Sequence, residues 1–259
     1  MTSTTAAKRR MASVLAVALL GLTAVLCQAD PATSTSSDMT QTQTISETLS
    51  ARQQAIVPIA AFAAAGDIPR LSAALHQGLD AGLTVSDTTE VLVQVYAYAG
   101  FPRSLNALSE LMKVLEARRQ RGIQDAPGHA PSRPIPTGEA LLAAGTANQT
   151  KLVGEPVQGP LFDFAPAIDE YLKTHLFGDI FERGNLDWKS RELATVGMLS
   201  ALPGAEAQLQ SHMRISMNVG LTVNQLDQLV HVLAERVSAN SATRARIALK
   251  QMLATSSKR

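Results

Sequence analysis

A glutamate and a histidine 20 residues apart are the side chains of this sequence best suited to proton transfer. Glu192 and His212 lie in two consecutive predicted helices, with the Pro203–Gly204 turn between them. At a rise of about 1.5 Å per residue, Glu192 lies roughly 18 Å and His212 roughly 12 Å from the turn. Because packed helices are about 8–10 Å apart, the two side chains could meet directly or through one water. A carboxylate on one imidazole nitrogen prepares the other for acid/base catalysis.

A structural interpretation of the same pair is a surface carboxylate and a partly buried histidine with ordinary partners. The two interpretations differ in what surrounds the pair. A buried, mutually bonded Glu192 and His212 facing a cavity would support an enzyme, whereas an exposed pair without a cavity would support a scaffold.

Candidate substrate-binding residues lie in an aromatic and cationic segment and next to the glutamate. Tyr96, Tyr98 and Arg103 could form an aromatic or cationic wall, and Arg191 precedes Glu192. The alternative is that the tyrosines pack in the core and Arg103 pairs with a carboxylate.

The composition excludes several classes of function. The 23 Lys and Arg residues against 22 Asp and Glu leave a net charge of +1, so there is no field to hold nucleic acid. The single cysteine excludes a disulfide framework, a C-x-x-C redox pair and a cysteine-based zinc site. We predict no metal site and no cofactor, with a small molecule as the binding partner.

The N-terminal 29 residues have the pattern of a signal peptide. Three basic residues, Lys8–Arg10, precede an apolar run over 11–26 that is too short to span a membrane. Cleavage after Ala29 would give an exported protein, periplasmic or secreted, with no stable membrane span. A lipoprotein cut at Cys27 is the rival, which the large Leu26 disfavours. Residues 30–48 are rich in Ser, Thr and Gln, which predicts a flexible tether.

The remaining chain predicts an all-α fold. Ala and Leu dominate while aromatic residues are 4%, a composition that favours helices over sheets. Capping residues and helical periodicity predict a first unit over 49–121 and a second over 160–255, whose first helix runs over 163–181. Between them, the prolines and glycines of 122–159 predict a linker with at most a short helix at 139–144.

The two units show signs of an internal duplication. At an offset of 138 residues, Gly82–Val85 aligns with Gly220–Val223 and Gly66 aligns with Gly204. The first unit has Gln54 and Ala74 at the positions of Glu192 and His212, so it lacks the proton-transfer pair.

These motifs together resemble the carboxymuconolactone decarboxylase family, which includes alkyl hydroperoxidase D. The resemblance covers about 160–235 and, more weakly, 49–115. It is carried by Leu161–Pro166, Phe177–Phe181, Arg191–Thr195, Gln208–His212 and Gly220–Thr222, and in the first unit by Gly82–Thr84, Glu90–Val91 and Tyr96–Arg103. The implied fold is two tandem alkyl hydroperoxidase D-like helical units.

The resemblance also implies an assembly and a chemistry. Members form rings, commonly trimers or hexamers of units, so we expect a homo-oligomer, a trimer of tandem chains. Surplus apolar positions, Val91, Leu92, Val95, Leu105 and Leu108, agree with that expectation. The hydroperoxidase branch uses a C-x-x-C pair. Ala205 and Gln208 stand at its positions here, which excludes thiol chemistry within this chain.

What remains is the chemistry of the decarboxylase branch. The resemblance implies protonation and deprotonation beside a carbonyl, with a cationic anchor for a carboxylate; Glu192, His212 and Arg103 or Arg191 match these roles. The sequence therefore predicts a cofactor-free lyase or isomerase acting on a small carboxylated lactone-like molecule. The alternative is a non-enzymatic helical scaffold or small-ligand binding protein.

Overall fold

Helices account for all the regular structure of residues 47–131 and 134–256, which are the residues that the computed structural model describes. No strand occurs in these two ranges, so the predicted all-α class is confirmed. The elements are α1 Ala51–Ala65, α2 Ile68–Asp80, α3 Val85–Ala99, α4 Phe101–Gln120, α5 Glu139–Val153, α6 Pro160–Phe164, α7 Pro166–Tyr171, a π-helix Leu172–Ile180, α8 Trp188–Ala201, α9 Glu206–Asn218, α10 Val223–Arg236 and α11 Ala239–Ser256.

The predicted signal peptide and nearly all of the predicted tether lie outside the described residues. Within the described ranges, no helix combines the length and the apolar character needed to cross a membrane.

Local sequence signals set the helix ends. The Ser50 hydroxyl accepts a hydrogen bond from the Gln53 backbone N–H, and the Ser50 backbone N–H donates to the Gln53 side chain, a reciprocal cap at the start of α1. Thr84 and Thr222 begin α3 and α10 with the same type of cap. Gly66 ends α1 at φ +73°, a left-handed conformation that glycine adopts without steric strain.

Four helices recur at the offset of the sequence repeat. Adding 138 to the bounds of α2 gives those of α9, and α1, α3 and α4 fall on α8, α10 and α11 to within two residues at each end. This correspondence supports the proposed duplication. The residues between the two sets, from α5 to the π-helix, have no counterpart.

The two sets of helices share one core. α1 packs along α8, α1 also contacts α10, and α8 contacts α3, so each half covers the first helix of the other. Small residues permit this approach: a Cβ on Gly197 of α8 would lie 2.9 Å from the carbonyl oxygen of Val57. The large hydrophobic cluster accordingly contains residues from both halves.

The segment predicted as a linker contains a full helix. α5 extends 15 residues, beyond the short helix expected at 139–144. The structure differs because the helix-breaking residues are confined to the segment's flanks: Gly138 precedes α5, Gly154 ends it, and only Gly145 lies inside. A Cβ on Gly145 would overlap the carbonyl oxygen of Lys173, so this glycine lets α5 cross the π-helix closely.

The helix predicted over 163–181 is divided into three parts. α6 ends before Ala165, because the following Pro166 disfavours a helical conformation for that residue. After α7 the chain continues as the π-helix, whose end is marked by a hydrogen bond from the Phe181 N–H to the Leu176 carbonyl, five residues back. Asn148 of α5 donates a side-chain hydrogen bond of 2.9 Å to the carbonyl of Phe177.

Candidate functional site

Glu192 and His212 meet directly. α8 and α9 form a hairpin, and the Nδ1 atom of His212 lies 2.8 Å from the Oε2 atom of Glu192. Glu192 has no exposed surface and His212 retains 8%. The pair is thus buried and mutually hydrogen bonded, the arrangement that distinguishes the enzyme interpretation from an exposed surface pair.

The carboxylate defines the proton position on the imidazole. An ionised carboxylate only accepts hydrogen bonds, so Nδ1 of His212 carries the hydrogen and donates to Glu192. In neutral histidine, Nε2 then holds the lone pair, and Nε2 makes no hydrogen bond to any described residue. His212 lines a cavity, and Nε2 is the ring nitrogen that Glu192 does not engage.

The second oxygen of Glu192 lacks a hydrogen-bond partner. Oε1 is buried and bonds to no described residue, a status that it shares with four other side-chain atoms, among them Oδ1 of Asp169. Only Oε2 of the Glu192 carboxylate is therefore engaged, by His212.

Tyr98 of α3 completes the polar part of the site from the other half of the chain. Its ring meets the His212 ring edge-on, with centroids 5.7 Å apart and an interplanar angle of 78°. Burial, together with the negative charge of Glu192, raises the pKa of the Tyr98 hydroxyl, which therefore stays protonated at neutral pH.

A buried amide holds α3 against α8 beside Tyr98. The Nε2 atom of Gln94 donates to the carbonyl of Arg191 at 3.0 Å and to Oγ1 of Thr195 at 2.7 Å. Thr195 Oγ1 also lies 3.3 Å from the Tyr98 hydroxyl. Neither Gln94 nor Thr195 stands out in the sequence as a site residue, because their hydrogen bond joins halves about 100 residues apart in the chain.

Arg191 faces away from the cavity. It is fully buried, and its Nη2 atom donates to Oε2 of Glu90 at 2.9 Å and to the carbonyl of Arg183 at 2.8 Å. Arg183 pairs with the same glutamate through Nη2 and Oε1, 2.7 Å apart. The predicted role of Arg191 as a substrate-binding residue therefore finds no support in its position, because its guanidinium is enclosed and neutralised by Glu90.

Two other predicted residues also lie outside the cavity wall. Arg103 is exposed and its Nη1 atom donates to the carbonyl of Ala65 at 2.7 Å, at the C-terminal end of α1. Tyr96 stacks on Phe101 with ring centroids 4.7 Å apart. Of the six predicted site residues, the cavity brings together Glu192, His212 and Tyr98: His212 and Tyr98 line it, and Glu192 lies behind His212.

The cavity has a volume of about 570 Å³, within the range of small-molecule sites. Its polar lining residues are Tyr98, Gln149, Gln208, Ser211, His212 and Arg214, and its apolar ones are Ala97, Val153, Val157, Leu172, Leu176, Phe177, Leu199, Ala205 and Ile215. Arg214 follows His212 by two residues, but no pattern in the sequence marks it as a cavity residue.

The cavity wall also contains the two positions at which the family resemblance places thiols. Ala205 and Gln208 both line the cavity beside His212. No group of three or more His, Cys, Asp or Glu side chains suited to a metal ion occurs within 47–131 and 134–256.

The fold and the site define an all-helical protein whose two packed halves enclose one buried Glu–His pair. Residues 166–251 match the model of the carboxymuconolactone decarboxylase family. The chain is also 31% identical over 70 residues to a 4-carboxymuconolactone decarboxylase of Acinetobacter baylyi (strain ATCC 33305 / BD413 / ADP1), covering 27% of this chain. It spans about half of that relative, 52% of its length. Over residues 166–251, the chain is therefore similar to the carboxymuconolactone decarboxylase family.

Proposed function

We propose that the protein is a cofactor-free acid/base enzyme, a lyase or isomerase that acts on a carboxylated lactone-like molecule in the cavity at His212. The observation that carries the proposal is the buried 2.8 Å hydrogen bond between His212 and Glu192 in the wall of that cavity. The name of the A. baylyi relative, a decarboxylase, supports the reaction class.

The proposed chemistry uses the two nitrogens of His212 differently. Nε2 removes a proton from a carbon next to a carbonyl, and the electron pair moves into the carbonyl as an enolate forms. Glu192 stabilises the resulting imidazolium through Nδ1. In an isomerisation, the imidazolium then returns the proton to another carbon of the substrate. In a decarboxylation no carbon is deprotonated first: the electron pair of the breaking bond to the carboxylate moves into the carbonyl as the enolate forms and carbon dioxide leaves. A His212 imidazolium that has taken its proton from solvent then donates it to the carbon that carbon dioxide has left. The protonated Tyr98 hydroxyl is the proposed hydrogen-bond donor to the enolate oxygen.

The test is turnover of carboxylated lactones by the purified protein and by variants of the pair. His212→Ala should lower the rate by about 10²–10⁴-fold, the usual contribution of a general acid/base. Glu192→Gln should lower it as well, because a neutral amide cannot stabilise an imidazolium. The double variant should be little worse than the poorer single variant, since residues acting as a unit are not additive.

A matched control is available on α10. His231 is an exposed histidine paired with Asp227, with 64% of its side chain exposed, so His231→Ala should leave turnover unchanged. If His212→Ala and His231→Ala have equally small effects, or if the effects of changing Glu192 and His212 simply add, the scaffold or ligand-binding function replaces the proposed enzyme.

Export is a further part of the proposed function and rests on the N-terminal sequence pattern alone. Mass spectrometry of the envelope or secreted fraction should detect a chain that begins near Asp30. Detection of only the cytoplasmic chain that retains Met1 would contradict export.

A further inference from the structure

The cavity at His212 is lined mainly by hydrocarbon, although its proposed chemistry is polar. The π-helix contributes Leu172, Leu176 and Phe177, and α5 and the loop after it contribute Val153 and Val157. These residues come from the part of the chain without a counterpart in the first half. These five residues are therefore an addition to the repeated helices, which contribute other apolar lining residues such as Leu199 and Ile215.

The apolar lining belongs to a packed structure. Leu176 and Phe177 are each 5% exposed and belong to a separate hydrophobic cluster with Leu152 and Ile215. The Phe177 ring lies 5.7 Å from that of Phe181. Such side chains are restrained before a ligand arrives, which reduces the entropy lost on binding.

The charges of the lining residues also restrict which ligands the cavity can bind. Among the residues that line the cavity, Arg214 is the one permanent cation, and none is an acid. Its Nη2 atom lies 2.7 Å from Oγ1 of Thr255 and 3.3 Å from the carbonyl of Met252, contacts that tie its guanidinium to α11. A small ligand with several carboxylates would place its charges against hydrocarbon, which carries a large desolvation penalty.

We infer that the cavity binds a monocarboxylate with an extended apolar body, with the carboxylate at Arg214 and the body against Leu172, Leu176 and Phe177. This inference rests on the proposed function, because it assigns a substrate class to the same site. The reacting carbonyl of such a ligand lies near its carboxylate, since Arg214 and His212 are two residues apart on α9 and both line the cavity.

The first experiment is calorimetric titration of the purified protein with acetate, hexanoate and decanoate below their micelle-forming concentrations. Each added methylene should tighten binding by about threefold to fourfold, corresponding to about 0.8 kcal/mol of burial. Methyl decanoate, which lacks the charge, should bind at least tenfold more weakly than decanoate. Equal affinity for the three acids, or no binding of any of them, would overturn the inference.

Matched variants test the two parts of the ligand separately. Arg214→Gln should abolish the preference for decanoate over its methyl ester, whereas Arg246→Gln, at an exposed arginine of α11, should preserve it. Leu172→Asn should weaken decanoate at least tenfold, whereas Ile168→Asn, at a 47% exposed position outside the cavity lining, should not. If Arg246→Gln changed binding as much as Arg214→Gln, the placement of the carboxylate would be contradicted. If Ile168→Asn weakened decanoate as much as Leu172→Asn, the placement of the apolar body would be contradicted.

These measurements separate the inference from the proposed function. Chain-length-dependent binding of carboxylates without turnover of any lactone would leave the ligand class standing and remove the acid/base enzyme. Turnover of a small polyanionic acid that depends on His212 but not on Leu172 would support the acid/base enzyme and contradict the inferred ligand class.

Discussion

Glu90 and Glu192 are both buried carboxylates, and they differ in the number and kind of their partners. Glu90 is bonded by the guanidinium groups of Arg183 and Arg191. Glu192 has one bonded oxygen, to His212, and one without a partner among the described residues. Glu90 thus has the position of a structural counter-ion to buried charge, whereas for Glu192 we propose a chemical role.

Removal of the Glu90 charge should destabilise the protein. Glu90→Gln leaves the fully buried Arg191 without its counter-ion, and breaking such a pair costs about 3–5 kcal/mol of unfolding free energy. Urea denaturation would measure this loss. Glu116→Gln, at an exposed glutamate paired with Arg119, should change stability by less than about 0.5 kcal/mol. Equal effects of the two substitutions would contradict a structural role for Glu90.

The Glu90 cluster also predicts how stability depends on pH. Desolvation alone would raise the pKa of Glu90, but hydrogen bonds from Arg183 and Arg191 outweigh it and hold the pKa below its ordinary value. A group with a lowered pKa in the folded state stabilises the fold above its unfolded pKa, and this contribution is lost as the pH falls towards the folded value.

Acidification should therefore reduce the difference in unfolding free energy between the unaltered protein and Glu90→Gln. The decrease should begin below about pH 5, near the unfolded pKa of a glutamate. Urea titrations of both proteins over a series of pH values would measure it. A difference that stays constant down to about pH 3 would contradict a lowered pKa of Glu90 in the folded state.

Tyr98 and Tyr96 provide a second matched comparison. Tyr98→Phe retains the ring against His212 but removes the proposed donor, so turnover should fall by about 10²–10³-fold, as when an oxyanion donor is lost. KM should change little if the bond forms mainly in the transition state. Tyr96→Phe, outside the cavity lining, should retain full turnover. A rise in KM with unchanged kcat for Tyr98→Phe would indicate ground-state binding instead.

At the scale of elements, α5 and the π-helix build the apolar side of the site. They cross at Gly145, where a side chain would meet the carbonyl of Lys173, and at Gly178, where one would meet Leu141. π-helical turns are often associated with functional sites, because the wider helix frees carbonyl groups for other bonds. Asn148 bonds one such group, the carbonyl of Phe177.

Gly145→Ala should separate α5 from the π-helix. The added methyl group has no space, so we expect a loss of about 1–3 kcal/mol in unfolding free energy, as in other overpacked sites. Decanoate affinity should fall with it, because Phe177 and Leu172 move. Thr146→Ala, at an exposed neighbouring position, serves as the control in the same denaturation and titration experiments. Unchanged stability and affinity in Gly145→Ala would show that the crossing can adjust.

At the scale of the whole molecule, the two sets of helices have matching bounds but differ in chemistry. Gln54 and Ala74 stand 138 residues before Glu192 and His212, so the first set lacks the pair, and the described residues contain one bonded Glu–His pair. The first half contributes Tyr98 and the buried Gln94 to that single site. Neither half alone contains both the pair and its wall.

The exposed apolar side chains of the protein predict self-association. Val91, Leu92 and Val95, which the sequence suggested as surplus apolar positions, are buried in the protein's own core, whereas Leu105 is 58% exposed. Exposed apolar side chains instead cluster along one face of α4 and on α6 and α7; they are Phe101, Leu105, Met112, Leu161, Phe164, Ile168 and Tyr171. We expect these faces to be covered in a homo-oligomer, a trimer of chains.

Light scattering at micromolar concentration would measure the assembly. Phe164→Asp, at a side chain that is 88% exposed, should shift the protein towards monomer without loss of helix content. Ile247→Asp, at a 51% exposed apolar residue of α11 outside these faces, should leave the assembly unchanged. A monomeric unaltered protein would refute the prediction.

The sequence by itself determined the features that depend on local interactions. Capping residues and glycines define most helix ends, and the spacing of Glu192 and His212 across one tight hairpin allowed their contact to be anticipated. The all-α class is confirmed, and residues 166–251 match the model of the family that the sequence resembles. Over 122–181, the local sequence did not predict the helices correctly. The length of α5 and the formation of the π-helix depend on how these two elements pack against each other.

Only the tertiary structure decided which arginine and which tyrosine belong to the site. Arg191 is adjacent to Glu192 in the chain, but consecutive residues of a helix point about 100° apart, so one faces Glu90 and the other His212. Along α3, Tyr96 and Tyr98 are two residues and therefore about 200° apart, so Tyr98 faces His212 while Tyr96 stacks on Phe101. Arg214 and the apolar lining residues come together because α9, α5 and the π-helix pack around one cavity. The spacing of residues within a single helix cannot predict such an arrangement.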